Sequence, residues 1–370
     1  MRRGGIAVRL FLTTDSIGGV WHYSVMLAEQ LTACGAAVRL GVIGRAPSPI
    51  QIAELSALEN IDSVPVNAPF DWLAGSEASL AATRREIRAS AAEWGADLIQ
   101  INQPAFAGER YSIPSIAMAH SCVETWWRET KGAPAPDNWS WHRNAVRNGL
   151  RGADATVAPS AAFAAHLQKT YGLPKSPQVI RNGVRKPRYR GIKQPHVLSA
   201  GRAWDESKNL ALLDRAAPLI DWPVYVAGAR IRPEDGWQAQ FNNVRCLGEL
   251  GSMAMAREYA IAPIFISPSL YEPFGLAIAE AAHAGAALVL SDIATFRELW
   301  SDAALFFDPG NPADAARQTN RLIRDEALLA RQSRAARQRV EQYTIDRTAN
   351  EMHALYRCIL AGRHPEKVPA

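Results

Sequence analysis

The feature that most constrains this chain is a rhythm that runs from end to end, short apolar runs alternating with segments of helical periodicity. In the first half the apolar runs are IAVRLFLTT (6–14), VRLGVIG (38–44), LIQIN (98–102), SIAMAH (115–120) and ATVAPS (155–160). Helical patterns such as VWHYSVMLAEQLTACG and SLAATRREIRASAAEWG lie between them, the second closed by Gly95 just past its last apolar turn. Residues 184–195, rich in Pro, Gly, Lys and Arg, break the rhythm and read as a linker. It then restarts with HVLSAGR (196–202), VYVAGA (224–229), VRCLGE (244–249), PIFISPS (263–269), AALVLSD (286–292) and ALFFDP (304–309). Runs apolar on both faces and separated by helices predict parallel sheets covered on both sides. Two such sets predict an α/β protein of two doubly wound, Rossmann-like domains facing each other across a cleft, the first over 1–186 and the second over 187–349. No internal repeat or low-complexity segment interrupts this reading.

At 370 residues the chain can build two cores, and 48% apolar with 21% charged residues is ordinary globular composition. No apolar run reaches the roughly 18 residues that cross a bilayer. The start, MRRGGIAVRLFLTTD, is interrupted by Arg9 and reads as a first strand, not a signal peptide. Cys34, Cys122, Cys246 and Cys358 lie far apart with no CxxC pair and no His at ligand spacing. That spacing argues against a disulfide framework or zinc site and fits a reducing cytoplasm. A net charge of +5 suggests anionic partners, but the basic residues are dispersed except in VRKPRYRGIK (184–193). That segment reads either as a solvated linker or as a patch for phosphate or anionic lipid. Nucleic-acid binding has no motif behind it.

In open parallel sheets, ligands bind beyond the carboxyl ends of the strands, so the strand-to-helix turns are where chemistry is expected. In TTDSIGGVWHYS, Gly18 and Gly19 let backbone approach a ligand while the next helix aims its free amides there, or simply form a tight turn. In SAGRAWDESKN, Arg202 and Lys208 can reach a diphosphate whose oxygens gain charge as it departs; alternatively Arg202 pairs with Asp205 or Glu206. In SLYEPFGLAIAEAAHAG, Glu272 precedes a helix start and Glu280 lies inside the helix, neither with an obvious cation beside it. The amides of Phe274, Gly275 and Leu276 would be unpaired there and suit a phosphate or sugar hydroxyl. A carboxylate accepts from both hydroxyls of a cis-diol, which places Glu272 for a transferred sugar and Glu280 for a ribose. His120 ends a strand of the first half, and is either structural or faces the cleft. Trp126, Trp127, Trp139 and Trp141 follow in a loop-like segment, where they pack, stack on a sugar, or meet a membrane surface.

Taken together these turns resemble the retaining glycosyltransferases of the GT-B fold, family 4. EPFGLAIAE is similar to that family's E-x7-E element, and GGV, His120, VIRNGV (179–184), GR…KN (201–209) and SDI match in order and spacing. The resemblance implies that Arg202 and Lys208 hold the donor diphosphate, Glu280 the ribose, and Glu272 with the amides of Phe274, Gly275 and Leu276 the hexose. Gly18 and Gly19 would approach the phosphate and acceptor, and His120 the donor sugar near the reacting carbon. His120 and Glu272 are thus the expected catalytic residues. Many relatives place Asp directly after this His, where Ser121 stands here. VIRNGV would lead out of the first domain, and a last helix at about 350–370 would pack back on it. The implied reaction moves a hexose from a nucleotide sugar, UDP- or GDP-linked, to the hydroxyl of a sugar, lipid-linked sugar or small molecule in glycoconjugate synthesis. No cofactor or metal is expected, since no DxD pair sits at a strand end. The implied location is the cytoplasm, with peripheral contact to the inner membrane face compatible. Two rivals are a sugar-nucleotide epimerase of the same fold, which needs added acid–base residues, and a silent nucleotide-sugar-binding module, which needs no such full set of Glu272, Glu280, Arg202 and Lys208.

Overall fold

The computed structural model describes residues 8–58, 60–108, 111–187, 189–232 and 235–362. The first two residues of the expected opening strand, Arg188 of the basic segment, and positions 363–370 of the expected last helix lie outside the described residues. The chain divides into two compact units. One holds the described residues through Asn182 together with those from Ile345 onward, and the other is Gly183–Thr344.

The first unit runs β1 (Arg9–Asp15), α1 (Gly19–Ala33), β2 (Ala37–Ile43), α2 (Pro49–Ser56), β3 (Ile61–Val66), α3 (Glu77–Trp94), β4 (Leu98–Ile101), β5 (Ser115–Met118), α4 (Val123–Lys131), α5 (Ser140–Gly152), β6 (Ala155–Ala158), α6 (Ala161–Tyr171) and β7 (Gln178–Val179). Its seven strands form one parallel sheet in the order β3-β2-β1-β4-β5-β6-β7. Local chemistry fixes the ends: Ser48 and Gln51 form a reciprocal capping box on α2, and Ser76 caps α3, which Gly95 ends in a left-handed conformation. Two strands were not expected. β3, IDSVPV, is an edge strand with exposed positions and a proline, and β7 has only two residues. The tryptophan segment expected to be loop-like is instead mostly helical. Trp126 and Trp127 lie on α4 and Trp141 on α5, because the GAPAPDN break is confined to the connection between them.

The second unit continues with β8 (Val197–Ala200), α7 (Leu210–Ala216), β9 (Val224–Ala227), β10 (Arg245–Gly248), α8 (Ser252–Ile261), β11 (Ile264–Ser267), α9 (Leu276–His283), β12 (Ala287–Ser291), α10 (Ala294–Trp300), β13 (Ala304–Phe307), α11 (Pro312–Arg324) and α12 (Glu326–Val340). Its sheet is again wholly parallel, ordered β10-β9-β8-β11-β12-β13. Successive strand residues feed two separate cores. Leu198, Phe265, Leu288 and Leu290 pack on one face with Ile278 and Trp300, while Val197, Ile264, Ile266 and Val289 pack on the other with Leu213 and Leu322. Strands buried on both faces are why these runs read as continuously apolar.

After Thr344 the chain re-enters the first unit as α13 (Ile345–Leu360). Met352, Leu355, Tyr356 and Ile359 enter the core that Leu10, Leu12, Leu27 and Leu40 form on one face of the first sheet. In each sheet the strand order reverses once, between β1 and β4 and between β8 and β11. A crevice opens at such a reversal, at the carboxyl ends of the strands.

Candidate active site

In the second unit the reversal gathers the turns after β8 and β11. Their backbones are stitched together: the Leu270 amide donates to the Ser207 carbonyl at 2.8 Å, and the Asn209 side-chain amide donates to the carbonyls of Pro268 and Pro309. On this frame Lys208 Nζ donates to Glu272 Oε2 at 2.6 Å, with both side chains largely shielded. Glu272 therefore does have a cationic partner, contrary to the sequence reading. That partner is 64 residues away and reaches it only because β8 and β11 are neighbours. Arg202 donates to Asp205 Oδ2 at 2.8 Å, the alternative the sequence left open, and its guanidinium also lies 5.4 Å from the centre of the Trp204 ring. Burial would raise the Asp205 carboxyl, but Arg202, Lys208 and the Ser207 hydroxyl outweigh it and hold the group well below the carboxylate range. A buried anion thus fixes Arg202.

Glu272 leads into α9 through Phe274, whose side chain is buried edge-on against Tyr343, and Gly275. Gly275 adopts φ 90°, and a Cβ there would stand 2.8 Å from Ile278 Cδ1. No side chain caps α9, so the amides of Leu276 and Ala277 have no acceptor inside the helix and suit an anion or hydroxyl oxygen. Glu280 sits five residues into α9, where its carboxylate accepts a hydrogen bond from Tyr259 of α8. Burial first, and then the Glu280 charge, hold the Tyr259 hydroxyl protonated well above its ordinary range. This contact of Tyr259 with Glu280 was not foreseen from the sequence, since nothing in REYAIAP marks it.

In the first unit the Gly18 turn follows β1, with Gly18 at φ 70° and α1 starting uncapped by any side chain at Gly19. His120 follows β5, half-buried, with its ring 4.4 Å from that of Tyr23 in an edge arrangement. Its Nε2 is buried and has no hydrogen-bond partner among the described residues, and burial lowers its pKa to about 3, so the imidazole is neutral. A neutral, uncommitted nitrogen is suited to a polar ligand group.

Among the features left open by the sequence, the four tryptophans are half-buried and pair with one another, Trp126 edge-on to Trp127 and Trp139 stacked with Trp141. Lys193 of the basic segment is used internally, donating to the carbonyls of Tyr259, Ala262 and Ala284 at the ends of α8 and α9. Burial lowers its pKa to about 8. Asp292 of the SDI segment forms a two-pronged exposed pair with Arg297. Among the described residues no helix is long and apolar enough to cross a membrane, and no three His, Cys, Asp or Glu side chains converge as metal ligands.

Comparison with known proteins agrees with this architecture. The family described as Glycosyltransferase Family 4 matches residues 17–186, and that described as Glycosyl transferases group 1 matches residues 194–325. Alpha-maltose-1-phosphate synthase of Mycobacterium tuberculosis is 24% identical over 299 residues, covering 68% of this chain and 74% of that protein. O-antigen chain mannosyltransferase B of Escherichia coli is 32% identical over 124 residues, 34% of this chain and only 26% of that longer protein. Among solved structures, sucrose-phosphate synthase of Thermosynechococcus elongatus superposes with a TM-score of 0.79 at 19% identity, covering 96% of this chain and 100% of that one. Alr3699/HepE of Anabaena, solved with UDP-glucose, gives 0.75 at 18% identity over 94% of this chain and 99% of its own. With one glycosyltransferase family matched on each sheet-bearing half and the two-sheet fold shared along nearly the whole length, the chain belongs to the family 4 glycosyltransferases and has the GT-B fold.

Proposed function

We propose that this enzyme transfers a hexosyl unit from a nucleoside-diphosphate sugar, UDP- or GDP-linked, to a hydroxyl acceptor with retention of configuration and without a resident metal. The observation that carries the reading is the Lys208–Glu272 pair beside Arg202, set at the strand reversal and at the uncapped start of α9. Arg202 and Lys208 meet the diphosphate and take up the charge that grows on its leaving oxygen. Glu272 binds the hexose hydroxyls, the amides of Phe274, Gly275 and Leu276 lie along the same ligand, and Glu280, oriented by Tyr259, accepts from the ribose diol. In the first unit, taken by itself, Gly18 and Gly19 offer backbone to a phosphate or acceptor group, and His120 offers its neutral imidazole to a sugar hydroxyl. The bond from the anomeric carbon to the phosphate oxygen breaks and the bond to the acceptor oxygen forms on the same face. The departing phosphate oxygen takes the acceptor proton. The solved relative carrying UDP-glucose supports a nucleotide-sugar donor. A lipid-linked acceptor, met at the inner membrane face, is compatible with this scheme and is not required by it.

The test is thermal stabilisation by UDP, GDP, ADP and their sugar conjugates, with wild type and Glu280→Ala side by side. A ligand at 100 times its Kd stabilises by about 2.7 kcal/mol. One nucleotide family should raise the wild-type melting temperature, and the variant should lose most of that rise. No shift with any nucleotide, or an equal shift in the variant, would overturn the donor-site assignment.

A further inference from the structure

A continuous buried polar chain runs beneath the reversal in the first unit. It starts on α13, where the Tyr356 hydroxyl donates to Gln100 Oε1 on β4. Gln100 Nε2 donates in turn to the Tyr23 hydroxyl at 3.2 Å and to Asn102 Oδ1 at 2.9 Å. Asn102 donates through its side chain to the Thr13 carbonyl and Ser24 Oγ, and through its backbone amide to Thr13 Oγ1. Thr13 then donates to Gln103, and Gln103 to Asp15, whose other oxygen accepts the Ile17 amide at the glycine turn. All of these side chains are buried, with Thr13, Ser24 and Gln100 at zero exposure. From Gln100 one branch therefore reaches the Gly18 turn and the other, through the Tyr23 ring, His120.

An apolar core would be cheaper at this place, because each buried polar group must be paired or costs its desolvation. Burial raises both tyrosine hydroxyls, and Gln100 is oriented by accepting from one and donating to the other. We propose that Tyr356, Gln100 and Tyr23 are positioning residues that set the His120 imidazole and the Gly18 turn, so that the C-terminal helix α13 acts on the reaction centre from beneath the sheet. The proposal rests on the transferase scheme above for its catalytic consequence, but its structural content stands apart from it.

Two readouts separate the two. The imidazole Cε1–Hε1 NMR signal of His120, assigned by its loss in His120→Gln, is recorded without substrate for wild type, Tyr356→Phe and Met352→Leu. Met352 is buried on the same helix and outside the polar chain. Steady-state rates of hydrolysis of the stabilising nucleotide sugar, with water in the acceptor's place, follow for the same three proteins. Tyr356→Phe, which keeps the ring and deletes one hydroxyl, should move the His120 signal and lower kcat about 10-fold with little change in donor KM. Met352→Leu should lower the melting temperature without moving either. A moved signal in a protein whose melting temperature no nucleotide shifts would sustain the positioning chain and remove the donor-site scheme. An unmoved signal, or a kcat loss no greater than in Met352→Leu, would overturn the proposal.

Discussion

Lys208 and Glu272 illustrate what charge placement does at a strand reversal. Each is on a turn that single-sequence reading can find, yet the ion pair between them is invisible in sequence because it depends on β8 and β11 being neighbours. The pair is shielded but not deeply buried, so its direct contribution to stability is about 1 kcal/mol or less. Its value lies in holding a cation and a carboxylate ready for a phosphate and a diol. Lys208→Met should therefore leave the melting temperature nearly unchanged and weaken nucleoside-diphosphate binding about 10- to 100-fold, the size of a charge-assisted contact of roughly 1.5–3 kcal/mol. Calorimetric titration of both proteins decides it, and equal affinities would remove Lys208 from the diphosphate site. His120 gives a second prediction with a definite sign. Its folded pKa is about 3 and an unfolded histidine titrates near 6.5, so between those values the unfolded chain binds the extra proton. The stability it contributes is complete above about pH 6.5 and falls away as pH drops toward 3, by about 1.4 kcal/mol per pH unit within that window. Urea unfolding at pH 7.5, 6 and 5 should show wild type losing ground to His120→Gln as pH falls. A difference independent of pH would mean that the imidazole is not held neutral.

Strands and their connecting turns were legible to different degrees, for reasons that follow from burial. The interior strands of both sheets read clearly because both faces are covered, whereas β3 is largely exposed, with only Val66 buried, and contains Pro65, and β7 is too short to carry a pattern. The helical starts of the site were legible from Gly18 and Gly275, since only special backbone permits those turns. The closest approach between strands was not. Gly228, just past β9, has φ 137°, and a Cβ there would lie 1.9 Å from the Gly201 carbonyl oxygen at the end of β8. The Gly201 amide meanwhile donates to the Ala227 carbonyl at 2.9 Å, so the two strand ends are locked together immediately before Arg202. Gly228→Ala should force them apart, costing about 2–4 kcal/mol and displacing Arg202 from the nucleotide. Gly236→Ala, also at positive φ but with nothing within 4 Å, should cost only about 1 kcal/mol and spare binding. Thermal melts and nucleotide titration of the two variants would show it. Equal losses in both would mean that backbone strain, not the close approach, governs this turn.

The two units differ in how much of their own core each stretch of chain supplies. Residues from Gly183 to Thr344 carry both cores of the second sheet, and their ends are already joined, since the Val184 amide donates to the Tyr343 carbonyl and Val184 pairs with Thr344. Arg202, Lys208, Glu272, Tyr259 and Glu280 all lie inside this span. Residues up to Asn182, by contrast, lack Met352, Leu355, Tyr356 and Ile359, which fill one face of their sheet, and lack the α13 contact in which Thr348 donates to the Arg181 carbonyl. Removing even one such fully buried large side chain costs about 2–5 kcal/mol, comparable to the whole stability of many domains. A fragment of residues 183–344 should therefore melt cooperatively and keep a nucleotide-dependent shift, while a fragment of residues 1–182 should fail to fold until α13 is supplied. Fusing residues 345–362 to its end through a flexible linker is the direct rescue, and circular dichroism with near-ultraviolet signals reads it. A well-folded 1–182 fragment would show that α13 is an accessory to the first unit. A 183–344 fragment that folds but ignores every nucleotide would show that donor binding needs groups from outside its own cluster of charges.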